Sequence, residues 1–109
     1  MTPQRIQLSR KSGFNLQNES RKRNGLPCVV VSRPSKWGNP FLVTQERSQE
    51  QAVQAFVGWL TIEGMTARIP ERKQWILEHL YELRGKNLGC WCKIGTPCHG
   101  DVLLAIANT

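Results

Sequence analysis

What the chain lacks narrows its class first. No stretch comes near the ~20 consecutive apolar residues that cross a bilayer. The longest apolar-rich stretch, Ala52 to Ile62, is broken by Gln54, Gly58 and Thr61. The opening residues, Met1 to Arg5, are polar and carry no apolar leader segment. Both absences point to the cytoplasm and away from membranes. Thiols stay reduced there, so the four cysteines are not expected to pair as disulfides. The chain shows no internal repeat, low-complexity tract or second domain. Its 109 residues are therefore read as a single domain, 1–109, large enough to bury a core. A bound metal could add to the stability of a chain this small.

Acid is also scarce, and unevenly so. Residues 1–36 carry Arg5, Arg10, Lys11, Arg21, Lys22, Arg23, Arg33 and Lys36 against the lone Glu19, while residues 37–109 are balanced. The whole net charge of +7 thus sits in the first third. That asymmetry suggests an anionic partner, either nucleic acid or a phosphorylated small molecule such as a nucleotide. The competing reading is a solvated basic loop that only aids solubility.

Ile6 and Leu8 alternate with polar neighbours and read as a short half-buried strand. Residues 10–27, rich in Lys, Arg, Asn, Ser and Gly, read as a long basic loop. The β-branched run Cys28 to Ser32, flanked by prolines, reads as a buried strand. Ser48-Gln-Glu-Gln51 is a capping-box pattern. It opens a helix with apolar face Val53, Phe56, Val57 and Leu60, and Trp59 beside it. A second helix starts near Pro70, carries Ile76, Leu77, Leu80 and Leu83, and ends at Gly85. Asn87 to Trp91 reads as a third strand, and Gly100 to Ala107 as a last helix burying Val102, Leu103 and Ile106.

This order predicts an α/β fold. Its sheet would be small, mostly parallel and three- or four-stranded, flanked by three helices in Rossmann-like layers. Ligands gather at the carboxyl ends of strands in such sheets. The loops 33–40 and 92–98 both follow strands and would share one cleft if those strands are parallel neighbours. Two intervening helices could instead return the chain antiparallel and separate them.

The densest chemistry is Cys90-Trp-Cys92 followed by Cys98-His99. Along a strand Cys90 and Cys92 point the same way. The turn with Gly95 and Pro97 could bring Cys98 and His99 back to them. Three thiols and an imidazole match a tetrahedral zinc site of Cys90, Cys92, Cys98 and His99. A metal-free thiol site is the main competitor. In an enzyme of that kind Cys98, at a helix start, would be a low-pKa nucleophile, with His99 as base and Asp101 nearby. Asp101 could equally be a first-turn acid, or the acceptor that orients His99. Cys28, at the start of its strand, is expected to be structural.

A second cluster lies in Arg33-Pro-Ser-Lys-Trp-Gly-Asn-Pro-Phe41. Trp37 could stack a base, Arg33 or Lys36 pair a phosphate, and Asn39 read a base edge, with Gly38 allowing close backbone approach. Alternatively the segment is a rigid turn that buries Trp37 and Phe41, and for those two residues burial is the expectation. Trp59 and Trp75 are expected in the core.

These segments, with Arg5 to Lys11, Leu83 to Cys92 and Pro97 to Leu104, resemble a bacterial and phage domain-of-unknown-function family, numbered four thousand three hundred and twenty-six. The family's motif residues correspond here to Trp37, Gly38, Asn39, Pro40, Cys90, Trp91, Cys92, Cys98, His99 and Asp101. The resemblance covers nearly the whole chain and implies no established activity. A local likeness to a second uncharacterised family, with a Cys-His-Arg motif, departs at Gly100. Occurrence in phages points to nucleic-acid metabolism, DNA modification or counter-defence as settings.

The sequence thus leaves three functional expectations. The first is a small zinc-binding or thiol-site protein that holds a nucleotide or nucleic-acid ligand in a cleft. The second is an enzyme acting on a nucleobase or nucleotide, through zinc-activated water or a Cys98 thiolate. The third is a phage-type interaction protein without catalysis.

Overall fold

The computed structural model describes residues 2–61 and 69–109. Met1 and Ile62, used above in reading the leader and the longest apolar stretch, lie outside the described residues. Three strands, β1 (Arg5–Gln7), β2 (Cys28–Val30) and β3 (Asn87–Cys90), form one sheet in the order β1-β3-β2. Both outer strands run parallel to β3, with Ile6 opposite Gly89 and Val29 opposite Leu88. The fold is α/β, and the sheet of the described residues is wholly parallel. Because β2 and β3 are parallel neighbours, the two helices between them do not invert the chain.

Among the described residues there are four α-helices rather than three: α1 (Leu16–Asn24), α2 (Gln49–Thr61), α3 (Pro70–His79) and α4 (His99–Ala107). The segment 10–27, expected as a loop, contains α1. Its ends carry helix signals: Asn15 Oδ1 accepts the Asn18 N–H at 3.0 Å, and Gly25, at φ 79°, donates its N–H to the Arg21 carbonyl. The helix escaped the sequence reading because its buried residues are Ser20 and Asn24, so it has no apolar stripe to detect.

That polar face docks through hydrogen bonds. Asn87, fully buried at the start of β3, donates from Nδ2 to Ser20 Oγ (2.7 Å) and Asn24 Oδ1 (2.8 Å). Its Oδ1 accepts from Asn24 Nδ2 and from the Gln4 N–H, both at 2.8 Å. Gln17 acts like a further strand residue on β2: its side-chain amide exchanges two hydrogen bonds with the backbone of Cys28. Burial without partners would cost about 1–3 kcal/mol per group, so this network succeeds only because each amide is paired.

The apolar core forms where α2, α3 and α4 meet the sheet. Phe56, Trp59, Leu60, Ile76, Leu83, Leu88, Leu103 and Val31 are all buried there. The α2 capping box forms as expected: Gln51 N–H donates to Ser48 Oγ and Ser48 N–H to Gln51 Oε1. The buried stripe of α2 is Ala52, Phe56, Trp59 and Leu60, spaced i, i+4, i+7 and i+8. Val57 falls outside this stripe and is exposed, and so is Leu77 on α3. The expected second helix ends earlier than Gly85. Past His79 it tightens into a 3₁₀ segment, Leu80–Leu83, that buries Leu83.

Replacing Asn87 with Ala would leave the Gln4 N–H without its partner and cut Ser20 and Asn24 back to their bonds with Leu26 and Thr2. Urea unfolding should show a loss of about 2–4 kcal/mol. A loss below about 1 kcal/mol would mean that water replaces the network freely.

Candidate functional site

Parallel pairing brings every strand's carboxyl end to one edge of the sheet. β3 ends there at Cys90, and the alternation of side chains sends Cys90 and Cys92 to the same side, with their sulfurs 3.8 Å apart. Cys98 enters from the other side of the turn as the N-cap of α4, its Sγ accepting the Gly100 N–H at 3.4 Å. The three sulfurs all lie within 4.8 Å of one another. Zinc–thiolate bonds of 2.3 Å in a tetrahedron require sulfurs about 3.8 Å apart, so a small contraction suits this group to a metal. All three are free thiols.

The turn is held by Arg5, which is buried at the start of β1. Its Nη1 donates to the Cys92 carbonyl (2.7 Å), Nη2 to the Lys93 carbonyl (3.1 Å), and Nε to Asp101 Oδ1 (3.1 Å). The planar guanidinium thus ties the thiol turn to the first turn of α4. Sequence reasoning counted Arg5 only as part of the basic excess. The available signal was its place at the head of the first family-like segment. Gly100 belongs to the same packing: a Cβ there would lie 3.1 Å from Arg5 Cδ and 3.5 Å from Cys98 Sγ.

His99 stands beside the thiols rather than within their tightest group. Its Nε2 lies 2.8 Å from the Val31 carbonyl oxygen. A carbonyl only accepts, so Nε2 carries the proton that it donates to Val31. Histidine metal ligands are commonly oriented by such a bond from the other ring nitrogen. Phe56 holds the ring from the side, edge to face at 5.3 Å. The expected orienting acceptor, Asp101, instead pairs with Arg5 and is half exposed.

The electrostatics of the thiols are uneven. The hydrogen bond from Cys98 pulls the Cys90 thiol down to about 3 against the cost of burial, with further help from His99. The same bond to Cys90, together with burial, pushes Cys98 far up. Cys92 is also raised, chiefly by burial. At neutral pH the metal-free cluster therefore holds one thiolate, on Cys90. The low pKa anticipated for Cys98 at its helix start is not there. Cys28 sits at the opposite end of the sheet, where burial raises its thiol to about 11.

The loops after β2 and β3 do share a cleft. It has a volume of about 200 Å³ and is floored by Cys90, Cys92, Cys98 and His99, with Arg33 and Asn39 on the facing loop. Phe41, Val43 and Val53 supply apolar wall. Gln49 of α2 donates a side-chain hydrogen bond to the Pro97 carbonyl across the cleft edge.

The four ligand-contact candidates divide. Arg33 and Asn39 line the cleft. Lys36 does not, and its ammonium lies 5.1 Å above the Trp75 ring. Trp37 is 6% exposed and packs edge-on against Trp75, so it belongs to the core and a base cannot stack on it without moving it. Asn39 spends Nδ2 on the Ala52 carbonyl and Oδ1 on the Phe41 N–H. Gly38 serves the loop's own closure, since a Cβ there would meet Arg33 Cγ at 2.6 Å. The exposed aromatic at this edge is Trp91, which the sequence reading gave no role beyond the family motif. It is 46% exposed, with the Arg10 guanidinium 4.9 Å over its ring.

Removing the clamp should loosen the site. Arg5→Gln is expected to cost about 2–4 kcal/mol in chemical unfolding, because two turn carbonyls lose a buried cation. Arg5→Lys should recover little of it, since an ammonium cannot reproduce the fork. Asp101→Asn, at the exposed end of the pair, should cost under about 1 kcal/mol. Equal losses for Arg5→Gln and Asp101→Asn would contradict this division.

Two relatives of the chain are uncharacterised viral proteins. It is 34% identical over 80 residues to the "Uncharacterized 12.4 kDa protein in nrdA-td intergenic region" of Enterobacteria phage T4, covering 73% of this chain and 67% of that one. It is 30% identical over 79 residues to "Uncharacterized protein R718" of Acanthamoeba polyphaga mimivirus, covering 66% of this chain and 52% of that one. The match thus spans about half the length of the mimivirus protein. No solved structure matches. The profile of a domain of unknown function, DUF4326, matches residues 6–109, and the chain belongs to that family.

Proposed function

We propose that this protein binds zinc through Cys90, Cys92 and Cys98 and receives a nucleobase-bearing ligand, a nucleotide or a nucleic-acid segment, in the adjoining cleft. The observation that carries this reading is the gathering of three sulfurs within 4.8 Å on the floor of a cleft. Thiolates are soft ligands and favour zinc over magnesium or calcium. Arg5 supplies positive charge beside the thiolates, and Arg33 offers an exposed cation at the cleft rim.

The cleft's size supports a base more than a whole nucleotide. About 200 Å³ is below the roughly 300–1,000 Å³ of sites that enclose drug-sized ligands. A flat ring held by Phe41, Val43 and Val53 would leave its sugar and phosphate outside.

An enzymatic reading is favoured by one specific feature, the position of His99 outside the tight three-sulfur group. If His99 Nδ1 swings in, it closes a Cys3His site and the zinc is structural. If it does not, the three cysteines would leave the ion a position for an outside ligand. The bound ion would then supply Lewis acidity next to a base held in the cleft. In that case His99 is the nearest proton-carrying group. A Cys98 nucleophile is the weaker form, because that thiol resists ionisation.

Metal analysis of protein purified from zinc-supplemented cells should find one zinc per chain. Cys90→Ser, Cys92→Ser and Cys98→Ser should each lose it, and Cys28→Ala should keep it. Chelation should lower the melting temperature by roughly 10 °C or more. His99→Ala should weaken zinc affinity severely if the imidazole is a ligand, and only about 10–100-fold or less if it acts from outside. Protein that stays metal-free in excess zinc, or zinc lost equally on Cys28→Ala, overturns the site.

A further inference from the structure

The loops after all three strands emerge at one end of the sheet, and two of their features have no part in holding the zinc. One is Trp91, exposed and flanked by Arg10 from the loop after β1. The other is a polar groove of about 500 Å³ between that loop and α1, lined by Lys11, Asn15, Asn18, Lys22 and Arg23. Trp91 also borders the cysteine cleft, so cleft, tryptophan and groove follow one another across the sheet edge. Adjacent strands lie about 4.8 Å apart, so from the loop after β2 to the loop after β1 is about 10 Å.

We propose that a single-stranded nucleic acid crosses this edge. One base enters the cysteine cleft and its neighbour stacks on Trp91. The backbone then runs past Arg10 and Lys11 into the groove beside α1. This deepens the reading above and rests on its cleft half, not on its zinc.

Three observations select this partner. First, the cations of the track come from the first third of the sequence, which carries the whole net charge. In the groove one carboxylate, Glu19, is partly spent on Arg23 at 3.6 Å, while Lys11 and Lys22 remain exposed. Second, an exposed ring beside a base-sized cleft reads base faces, which a duplex hides in its stack. Third, a lone mononucleotide would leave the groove unused. An acidic peptide would satisfy the cations but has no general need of a flat ring beside an apolar cleft.

The test uses a labelled oligothymidylate and an oligouridylate of roughly ten nucleotides, the matching duplex, and thymidine monophosphate. Fluorescence anisotropy with zinc-loaded protein should show either single strand bound more tightly than the duplex or the monophosphate. Four engaged cations (Arg33, Arg10, Lys11 and Lys22) set a log–log salt slope of about −3. The double change Lys11→Ala with Lys22→Ala should flatten that slope by about 1.4. Trp91→Ala should weaken binding about tenfold or more, while the protein stays folded and keeps its zinc. Wild-type affinity in Trp91→Ala, duplex bound as tightly as strand, or no binding of either strand overturns the proposal. If the monophosphate binds as tightly as the strands, the track fails while the cleft reading stands. If nothing binds but the chain holds one zinc, the track and the cleft reading fail together and the metal site survives.

Discussion

Parallel pairing of both outer strands with β3 is the constraint from which the rest of this architecture follows. It sends the segments after Gln7, Val30 and Cys90 to one edge. Without it the thiol turn and the Arg33–Asn39 loop would face opposite ends, and no shared cleft could form. Three short strands provide few ladder bonds, so the pairing is reinforced from outside. Asn87 joins α1 to the start of β3, and Gln17 pairs with the backbone of Cys28. Gly89 lets β3 lie close under its neighbours, since a Cβ there would come within 3.0 Å of Leu8 and 3.3 Å of Cys28. The amino end of the sheet is therefore a polar lock, and the carboxyl end is left free for chemistry.

Arg5 connects the two ends. It belongs to the first strand, yet its guanidinium organises residues nearly ninety positions later, at Cys92, Lys93 and Asp101. A buried cation is costly unless it is paired and fully hydrogen-bonded. Here two carbonyls and a carboxylate meet that need. The thiol turn is thus shaped by β1 as much as by its own glycine and proline.

Sequence patterns revealed the elements with apolar periodicity and missed those built on polar contacts. α2 was legible from its capping box and α4 from its three aliphatic residues. α1 was not, because Ser20 and Asn24 make its buried face. The exposure of Val57 shows the limit of periodicity: the pattern identified a helix but not which edge of its stripe met the core. At the site, the convergence of three cysteines could be read from their alternation and from the turn that follows. The partition of the tryptophans could not. Trp37, in the motif that looked most like a binding loop, is core, while Trp91, hidden between two cysteines in sequence, is the exposed one. Such inversions depend on which side of a loop faces the helices, and no local pattern encodes that.

The charge on the thiol cluster constrains how an anionic ligand can lie. Metal-free, the cluster holds one thiolate and two thiols, a net charge of −1. With a divalent ion and three thiolates it again carries −1, because the metal displaces two protons. A phosphate pushed to the cleft floor would meet this negative charge in both states, whereas a neutral base would not. The cations accessible from solvent, Arg33 at the rim and Arg10 beside Trp91, stand where a backbone would pass outside the cleft. Electrostatics would thus order a nucleotide-like ligand of the kind proposed with its base inward and its phosphate outward, which is also the orientation that the cleft's small volume favours.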